Sequence, residues 1–437
     1  MLVNEVVDAR SIAAAATHEA SNDIPYLGIR WFPVKKKQGL DLKWIKTHNG
    51  LPVSLAPSNF DALPTIRARE GLKTEKTQMA FFRESMMITE EDAQEIDRIK
   101  DANDPYLENA LMSIYNDSNT LVQGAEVVPE RMRMALLSTV NGHPVIGIES
   151  GNVAYAYDYD PNGTYATSHY SVLTGTSMWS DTTNSRPISD LIAARKSLQK
   201  KGKIAKYALM NSNTFQYLLD NAQVKAAIIA YNPNGTVIID DDNVKTIIKS
   251  RTKLTIVLYD KMYKDEVGVE HYFYPNDKVT LLPETALGNT WFGTTPEERT
   301  ARQVSDVDVA MYGEGIAVAT KTEYGPPAVT SVTASEIVLP SYEQMDSTFV
   351  LSVIQRITLD KKTASVTAAA GATHTAAITA TTVPASGLTV TWTSSDETKA
   401  TVSSGTVTGV AAGTATITAS VTYDGETYTA SCVVTVS

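Results

Sequence analysis

Cysteine is almost absent from this 437-residue sequence, which contains only Cys432. One cysteine cannot form a disulfide within the chain, so packing alone must hold each domain together. That arrangement suits folding in a reducing cytoplasm. Cys432 stands on the apolar side of an alternating segment, which predicts a buried small side chain instead of a reactive thiol.

Long apolar runs are missing as well. No stretch approaches the ~18 apolar residues of a membrane-spanning helix, so we expect a soluble chain without a membrane partner. The first residues, MLVNEVVDAR, include acids where a secretory signal peptide carries basic residues. We therefore expect no export.

Residues with metal-binding or catalytic spacing are also scarce. The six histidines are scattered without an H-x-x-x-H or H-E-x-x-H spacing, which argues against a zinc site. The triplet Asp240-Asp241-Asp242 and the DYDPNG segment at 158–163 lack the terminal glutamate of a calcium loop, so both predict turns. Fingerprints of the G-x-S-x-G, P-loop and dinucleotide-binding types do not occur. We therefore predict no enzyme activity, no cofactor and no metal site.

The charge balance is acidic. The sequence holds 38 basic and 49 acidic residues and has a formal net charge of −11, which does not indicate a sequence-specific nucleic-acid-binding protein. With 43% hydrophobic and 20% charged residues, the composition is that of ordinary globular domains. The length allows about two to four of them.

The first 80 residues predict an arm and a hairpin that lack a core of their own. A short helix is expected around residues 5–16, and an exposed aromatic string follows at 26–33. Alternation around residues 40–44, with a second extended run at 65–77, predicts a long β-hairpin that needs a neighbouring subunit. We weigh contact between subunits above phosphate binding for the lysine triplet in this region. The predicted assembly contacts are Trp31, Phe32, Lys35, Lys36, Lys37 and Trp44.

Helix and strand signals follow one another through the body of the chain. Thr89 followed by Asp92 is a capping-box pattern, and Asp104-Pro105 offers a second helix start. The helix either continues through Pro129 or restarts after it, so residues 89–140 predict one long, interrupted helical element. The remaining predictions are strands over 145–180, a helix over 185–202, a mixed α/β region over 207–325 and extended chain over 328–354.

The last part of the chain has a different pattern. Apolar residues recur at every second position, as in Ala415, Ile417, Ala419 and Val421, and this period of two is typical of half-buried strands. The runs are short, rich in threonine and valine, and separated by glycines. Asp424-Gly425 is a two-residue hairpin signal. Several such strands in about 80 residues predict a small β-sandwich.

Two family resemblances follow from these segments. The string WTSSD, followed by ATV, G-x-V-x-G and AAGTATITA, resembles the bacterial Ig-like domain, group 2, over 356–437. Six segments of the body, in register over about 1–355, resemble the lambda-type major capsid protein of tailed phages, the capsid E family with the Hong Kong 97 fold. These segments are AFFRESMMITEEDAQEI, VPERMRMALLSTVNGH, the stretch from 188 to 221, IVLYDKMYKDEVG, FYPNDKVTLLPETALGNTWFG, and KTEYGPP with IVLPSYEQMDSTFVLSV.

The capsid resemblance implies an α+β fold and a division of the chain. In that scheme the capsid domain ends at 355, and the family's usual chain ends there too, whereas this one continues into an all-β Ig-like sandwich. The implied parts are the N-arm at 1–34, the E-loop at 35–80, the P-domain at 81–204 and 326–355 with its spine helix at 89–140, the A-domain at 205–325, and the Ig-like domain at 356–437.

The same resemblance implies a structural function. Many copies would form hexamers and pentamers of an icosahedral shell around the double-stranded DNA genome of a phage, which the protein would contact without sequence preference. The chain would be made and assembled in the host cytoplasm and reside in the virion. The implied partners are a portal, a decoration protein and, because no charged coiled-coil prefix is visible, a separate scaffolding protein.

Two other functions compete with this reading. An encapsulin-like protein compartment would share the fold, and particles with protein cargo would favour it. A bacterial cell-surface adhesin would share the Ig-like domain but needs an export signal. For the Ig-like domain itself, we hypothesise an outward position and binding to host-surface or environmental glycans, with decoration or cementing of the shell as the alternative.

Overall fold

The computed structural model describes residues 25–46, 73–88, 106–150, 153–231, 239–301, 307–323, 329–367, 375–423 and 426–437. The predicted helix at 5–16, the capping box at Thr89, and most of the second hairpin run lie outside these residues. The described chain forms two compact units. The first comprises Met1–His169, Arg195–Tyr207 and Leu281–Phe349, and the second comprises Tyr170–Ala194, Ala208–Thr280 and Val350–Ser437.

A six-stranded sheet forms the centre of the first unit. Its strand order is β1-β13-β16-β15-β14, and β4 also pairs with β16. Strand β16 is 14 residues long, so its first part lies between β15 and β4 and its last part pairs with β13. These strands are β1 (Val34–Lys36), β4 (Ala80–Ile88), β13 (Gly288–Phe292), β14 (Val307–Tyr312), β15 (Ile316–Glu323) and β16 (Val329–Tyr342).

One long helix, α1 (Tyr106–Ser138), packs on this sheet. Leu121 and Val122 of the helix join Ile88, Val318 and Val332 of the strands in a buried apolar cluster. The helix continues through Pro129, which removes only one backbone hydrogen bond while burial of the last turns stabilises the element. Of the two alternatives predicted at Pro129, the structure has the continuous helix.

Two antiparallel hairpins complete the first unit. Strands β2 (Asp41–Lys46) and β3 (Lys73–Gln78) pair from Asp41↔Gln78 to Lys46↔Lys73, as the alternation predicted. Strands β5 (Val145–Ser150) and β6 (Val153–Asp158) pair with each other and do not join the β16 sheet. The short helices of this unit are α2 (Thr164–Ser168) and α7 (Pro296–Ala301).

The second unit contains an α/β part. Its five-stranded sheet has the order β7-β17-β12-β8-β9. The strands are β7 (Tyr170–Val172), β8 (Tyr207–Met210), β9 (Thr255–Leu258), β12 (Lys278–Leu282) and β17 (Phe349–Ser352), with a hairpin of β10 (Met262–Lys264) and β11 (Glu270–Tyr272). The helices are α3 (Pro187–Lys200), α4 (Ser212–Asp220), α5 (Ala222–Tyr231) and α6 (Asp241–Thr252).

Helix α6 shows why the aspartate triplet occurs where it does. The side chain of Asp240 accepts a hydrogen bond from the backbone of Asn243 at 2.8 Å and caps the helix, while Asp241 and Asp242 occupy its first turn. Acidic side chains at a helix N-terminus are favoured by the helix dipole. The predicted turn is therefore a helix start.

The rest of the second unit is the all-β domain predicted from the tail. Its four-stranded sheet has the order β19-β26-β25-β22, beside a three-stranded sheet β20-β24-β23 and the pair β18-β21. Strands β25 and β26 pair antiparallel from Gly413↔Val436 to Tyr423↔Glu426, which confirms the hairpin that Asp424-Gly425 predicted. The strands are β18 (Ile357–Leu359), β19 (Thr363–Val366), β20 (Thr375–Ala377), β21 (Ala380–Thr382), β22 (Thr391–Ser394), β23 (Ala400–Ser403), β24 (Thr406–Gly409), β25 (Gly413–Tyr423) and β26 (Glu426–Val436).

The inner side of this domain is apolar throughout. Ile417, Cys432 and Val434 are fully buried between the sheets, and Trp392 packs against them. Cys432 is a buried free cysteine, as its place in the alternation predicted.

Candidate functional site

The aromatic string of the arm lies inside its own subunit. Trp31 and Phe32 have no exposed surface. The indole N–H of Trp31 donates to the carbonyl of Pro283 at 3.0 Å, and the ring of Phe32 meets that of Tyr342 edge-on at 5.5 Å. The expected exposure is therefore wrong for Trp31 and Phe32, because β1 pairs with β13 and draws them into the first unit. Ile29 of the same string is 44% exposed. Contact of Trp31 and Phe32 with a neighbouring subunit stays a prediction.

The lysine triplet follows on β1 and lies at the surface. Lys36 forms an ion pair with Glu298 at 2.9 Å, and the ammonium of Lys35 lies 5.5 Å from the ring centre of Trp291. Lys37 donates to the carbonyl of Asp41 at 2.8 Å. Each lysine thus has a partner within its own chain, and its role between subunits also stays a prediction.

Trp44 lies at the base of the β2–β3 hairpin. It is 8% exposed, and its ring centre is 5.7 Å from that of Tyr159. Its indole N–H is buried and has no hydrogen-bond partner among the described residues. The base of the hairpin therefore packs on its own unit, which the sequence alternation alone did not indicate.

A buried charged cluster joins the arm, helix α1 and the central sheet. Glu130 accepts hydrogen bonds from the backbone of Gly28 at 2.8 Å and from the guanidinium of Arg133 at 3.1 Å. Arg133 also donates to the hydroxyl of Thr290 on β13 at 2.8 Å. A Cβ atom at Gly28 would lie 2.6 Å from the Glu130 carboxylate, so only glycine allows this approach. The sequence prediction missed this cluster.

Glu336 on β16 lies near the same cluster, and its hydrogen bonding differs from that of Glu130. Both of its carboxyl oxygens are buried and have no hydrogen-bond partner among the described residues. Burial raises its pKa well above the usual value; the charge of Arg133 lowers it and that of Glu126 raises it further. Burial therefore favours the neutral form of the Glu336 carboxyl in the folded subunit.

A second buried ionisable group of the first unit is His169. Its Nδ1 lies 2.8 Å from the hydroxyl of Ser168, and its Nε2 lies 3.1 Å from the ammonium of Lys201. Burial and then the charge of Lys201 lower the pKa of His169 to about 4, against the opposing effect of Asp346. The ring is therefore neutral at pH 7 and accepts a hydrogen bond from lysine.

The junction between the α/β part and the all-β domain is built on an ion pair. Arg356 donates from Nε and Nη2 to the two carboxylate oxygens of Asp277, the second at 2.9 Å. Nη2 also donates to the hydroxyl of Tyr217 at 3.2 Å, and Nη1 donates to the carbonyl of Val383 at 3.1 Å. The guanidinium lies 3.8 Å from the ring centre of Tyr423. This junction was also missed by the sequence prediction.

A candidate metal site is not present in the described ranges. They contain no group of three histidine, cysteine, aspartate or glutamate side chains that could hold a metal ion. In the DYDPNG segment, the backbone of Gly163 donates to the carbonyl of Asp160 at 3.0 Å, which confirms the predicted turn. The carboxylate of Asp160 accepts from the hydroxyl of Thr164 and the backbone of Tyr165. Within the same described ranges, no helix has the length and apolarity to cross a membrane.

The solved structures that resemble the chain include three phage-related proteins of low sequence identity. A putative capsid protein of a prophage of E. coli CFT073 is 13% identical with a TM-score of 0.48, covering 80% of this chain and 99% of its own. A phage-related protein from Bordetella bronchiseptica RB50 is 11% identical with a TM-score of 0.45, covering 79% and 97%. The capsid asymmetric unit of cyanophage A-1(L) gives 11% identity and a TM-score of 0.40, covering 77% and 95%.

Comparison of the sequence with family models identifies the family of the chain. No curated protein matches the chain. The family model of the bacterial Ig-like domain, group 2, matches residues 353–431. The model of the phage major capsid protein E matches residues 8–319, well over half of the chain. The chain therefore belongs to the phage major capsid protein E family and carries a group 2 bacterial Ig-like domain near its C-terminus.

Proposed function

We propose that many copies of this chain assemble into hexamers and pentamers of an icosahedral shell that encloses the double-stranded DNA of a phage. The supporting observation is the family match over residues 8–319, since members of that family are major capsid proteins. Membership implies a structural, non-enzymatic role in the virion and assembly into a multimeric capsid. The number and arrangement of copies belong to the proposal.

Assembly is tested by electron microscopy of the full chain, expressed alone and together with the scaffolding protein of its phage. We expect closed shells in the presence of scaffolding protein and irregular or incomplete particles without it. A chain that stays monomeric under both conditions would contradict the proposal. Synthesis and assembly in the host cytoplasm are tested by locating particles in infected cells.

The contents of the particles separate the two shell functions. Particles from infected cells should contain double-stranded DNA that is protected from nuclease, together with a portal at one vertex. Particles that hold protein cargo and no nucleic acid would instead favour an encapsulin-like compartment.

For the Ig-like domain we propose an outward position and binding to neutral glycans. One face of the sheet that contains β25 and β26 favours glycan binding, because its outward strand positions carry hydroxyl side chains and no charge. The exposed members include Thr414, Thr422, Thr429, Ser431 and Thr435, with Val433 as the apolar exception. A face without charge suits a neutral, hydroxyl-rich polymer better than a nucleic acid.

Binding is tested by cosedimentation of intact particles with insoluble neutral and sulfated polysaccharides. We expect retention on the neutral polymer that is weakened by Thr429→Lys and Ser431→Lys. Two matched lysine substitutions in β24, Thr406→Lys and Thr408→Lys, lie on the other sheet and should leave retention unchanged. Equal retention of all particles would contradict this role and leave the capsid function untouched.

A further inference from the structure

The segment that connects the α/β part to the Ig-like domain is not built as a flexible tether. Val353, Ile354 and Ile357 are 0%, 1% and 1% exposed, and Arg356 is 4% exposed. The backbone of Val353 donates to the carbonyl of Asp277 at 2.8 Å. Flexible linkers are exposed and polar, so this buried segment is not a flexible linker.

The guanidinium of Arg356 is satisfied only when both domains are in place. The α/β part supplies the carboxylate of Asp277 and the hydroxyl of Tyr217. The Ig-like domain supplies the carbonyl of Val383 and the ring of Tyr423. Arginine suits this position because its planar group can bind a carboxylate with two hydrogen bonds and stack on an aromatic ring at the same time.

Asp277 has the same dependence on both domains. Its side chain is 2% exposed, and the hydroxyl of Tyr428 from the Ig-like domain donates to it at 3.3 Å. Its backbone amide donates to the hydroxyl of Thr214, with the residue in the left-handed region at a φ of 63°. The carboxylate is therefore held rigidly, and separation of the domains would leave a buried charge without its partners.

We propose that Arg356 and Asp277 form a lock that fixes the orientation of the Ig-like domain on the α/β part, so that the two unfold as one body. The lock concerns a single chain and is independent of shell formation. Its failure would leave the proposed capsid function untouched, and failure of assembly would leave the lock untouched.

The test compares the full chain with Arg356→Met, which keeps the length of the side chain and removes its charge. Arg251→Met, at an exposed arginine in the last turn of α6, is the matched control. We measure cleavage between residues 353 and 363 in limited proteolysis, and heat capacity during thermal unfolding. The wild type and the control should resist cleavage and unfold the two domains in one shared transition. Arg356→Met should be cut at least tenfold faster and show a separate transition for the Ig-like domain.

Two milder variants keep the test decisive if Arg356→Met does not fold. Tyr423→Leu removes the stacked ring, and Tyr428→Phe removes one hydrogen bond to Asp277, and neither creates a buried charge. Each should raise the cleavage rate by a few-fold. Cleavage at the wild-type rate in both, or independent unfolding of the two domains in the wild type, would overturn the lock.

Discussion

The interior of the Ig-like domain and that of the first unit are stabilised in different ways. The Ig-like domain encloses apolar side chains such as Ile417 and Val434, drawn from a continuous stretch of sequence. The first unit buries Glu130 and Arg133 of helix α1 together with Glu336 of β16, and it joins strands that are far apart in the chain. An apolar core is insensitive to pH, whereas a core with buried ionisable groups couples stability to protonation.

The largest effect is expected from breaking the buried ion pair of the first unit. Arg133→Met leaves Glu130 as a buried carboxylate without its cation and should destabilise the unit by about 3–5 kcal/mol. Urea unfolding followed by tryptophan fluorescence measures this change. Arg83→Met, which breaks a pair with Glu297 whose arginine is 52% exposed, should cost less than about 1 kcal/mol. Equal effects of the two variants would show that burial does not make the Arg133–Glu130 pair more important for stability than an exposed pair.

A cavity in the Ig-like domain should cost somewhat less and show no pH dependence. Ile417 is 0% exposed, so Ile417→Ala removes buried methyl groups and should destabilise this domain by about 2–4 kcal/mol. The same loss is expected at pH 5 and at pH 8, because the buried cluster around Ile417 is apolar and burial raises the pKa of its neighbour Cys432 further above this range. Calorimetry at both values provides the measurement. A loss that changes with pH would show that this core is also electrostatically coupled.

Glu336 should make the first unit less stable as pH rises. Its pKa is raised in the folded state, so its contribution is fully present below the unfolded pKa and is lost as pH increases toward the folded value. Glu336→Gln should match the wild type near pH 4 and become more stable above it, by up to about 1.4 kcal/mol per pH unit. Urea unfolding across this range tests the sign. Glu84→Gln, at an exposed position on β4, is the control.

His169 should give the smallest effect, in the opposite direction. Its pKa is lowered from 6.5 to about 4, so stability is fully present above pH 6.5 and is lost as pH falls through that window. On acidification, His169→Gln should lose on the order of 2 kcal/mol less unfolding free energy than the wild type. The partly exposed His143→Gln serves as the control in acid titrations of the unfolding midpoint. An unchanged acid profile in His169→Gln would show that the ring is not held neutral.

The sequence predicted the Ig-like domain well because its signals are local. Period-two alternation and the Asp424-Gly425 pair depend only on neighbouring residues, and the register of β25 and β26 follows from them. The helix over 185–202 and the mixed α/β character of 207–325 were also predicted, whereas helices α5 and α6 were not. In α6, Asp240 could have been recognised as a helix cap before the apolar pair Ile247 and Ile248.

The environments of the buried groups could not be predicted, because they depend on contacts between residues that are distant in the sequence. The burial of Trp31 depends on Pro283 and Tyr207, and the raised pKa of Glu336 depends on burial under helix α1; all of these are distant in sequence. From the sequence alone, Arg356 is an ordinary polar residue at a domain boundary. Only the structure places Asp277 and Tyr423 against it. Composition and periodicity report on local patterns, and none of these contacts is local.

The pairing of β1 with β13 and of β4 with β16 also sets the time at which a subunit can be completed during synthesis. Val34 pairs with Thr290, and Ile88 pairs with Thr330. Neither contact can form until the ribosome has released nearly all of the first unit, and closing such long loops is slow. A nascent chain therefore completes the central sheet of the first unit only after most of that unit has been synthesised.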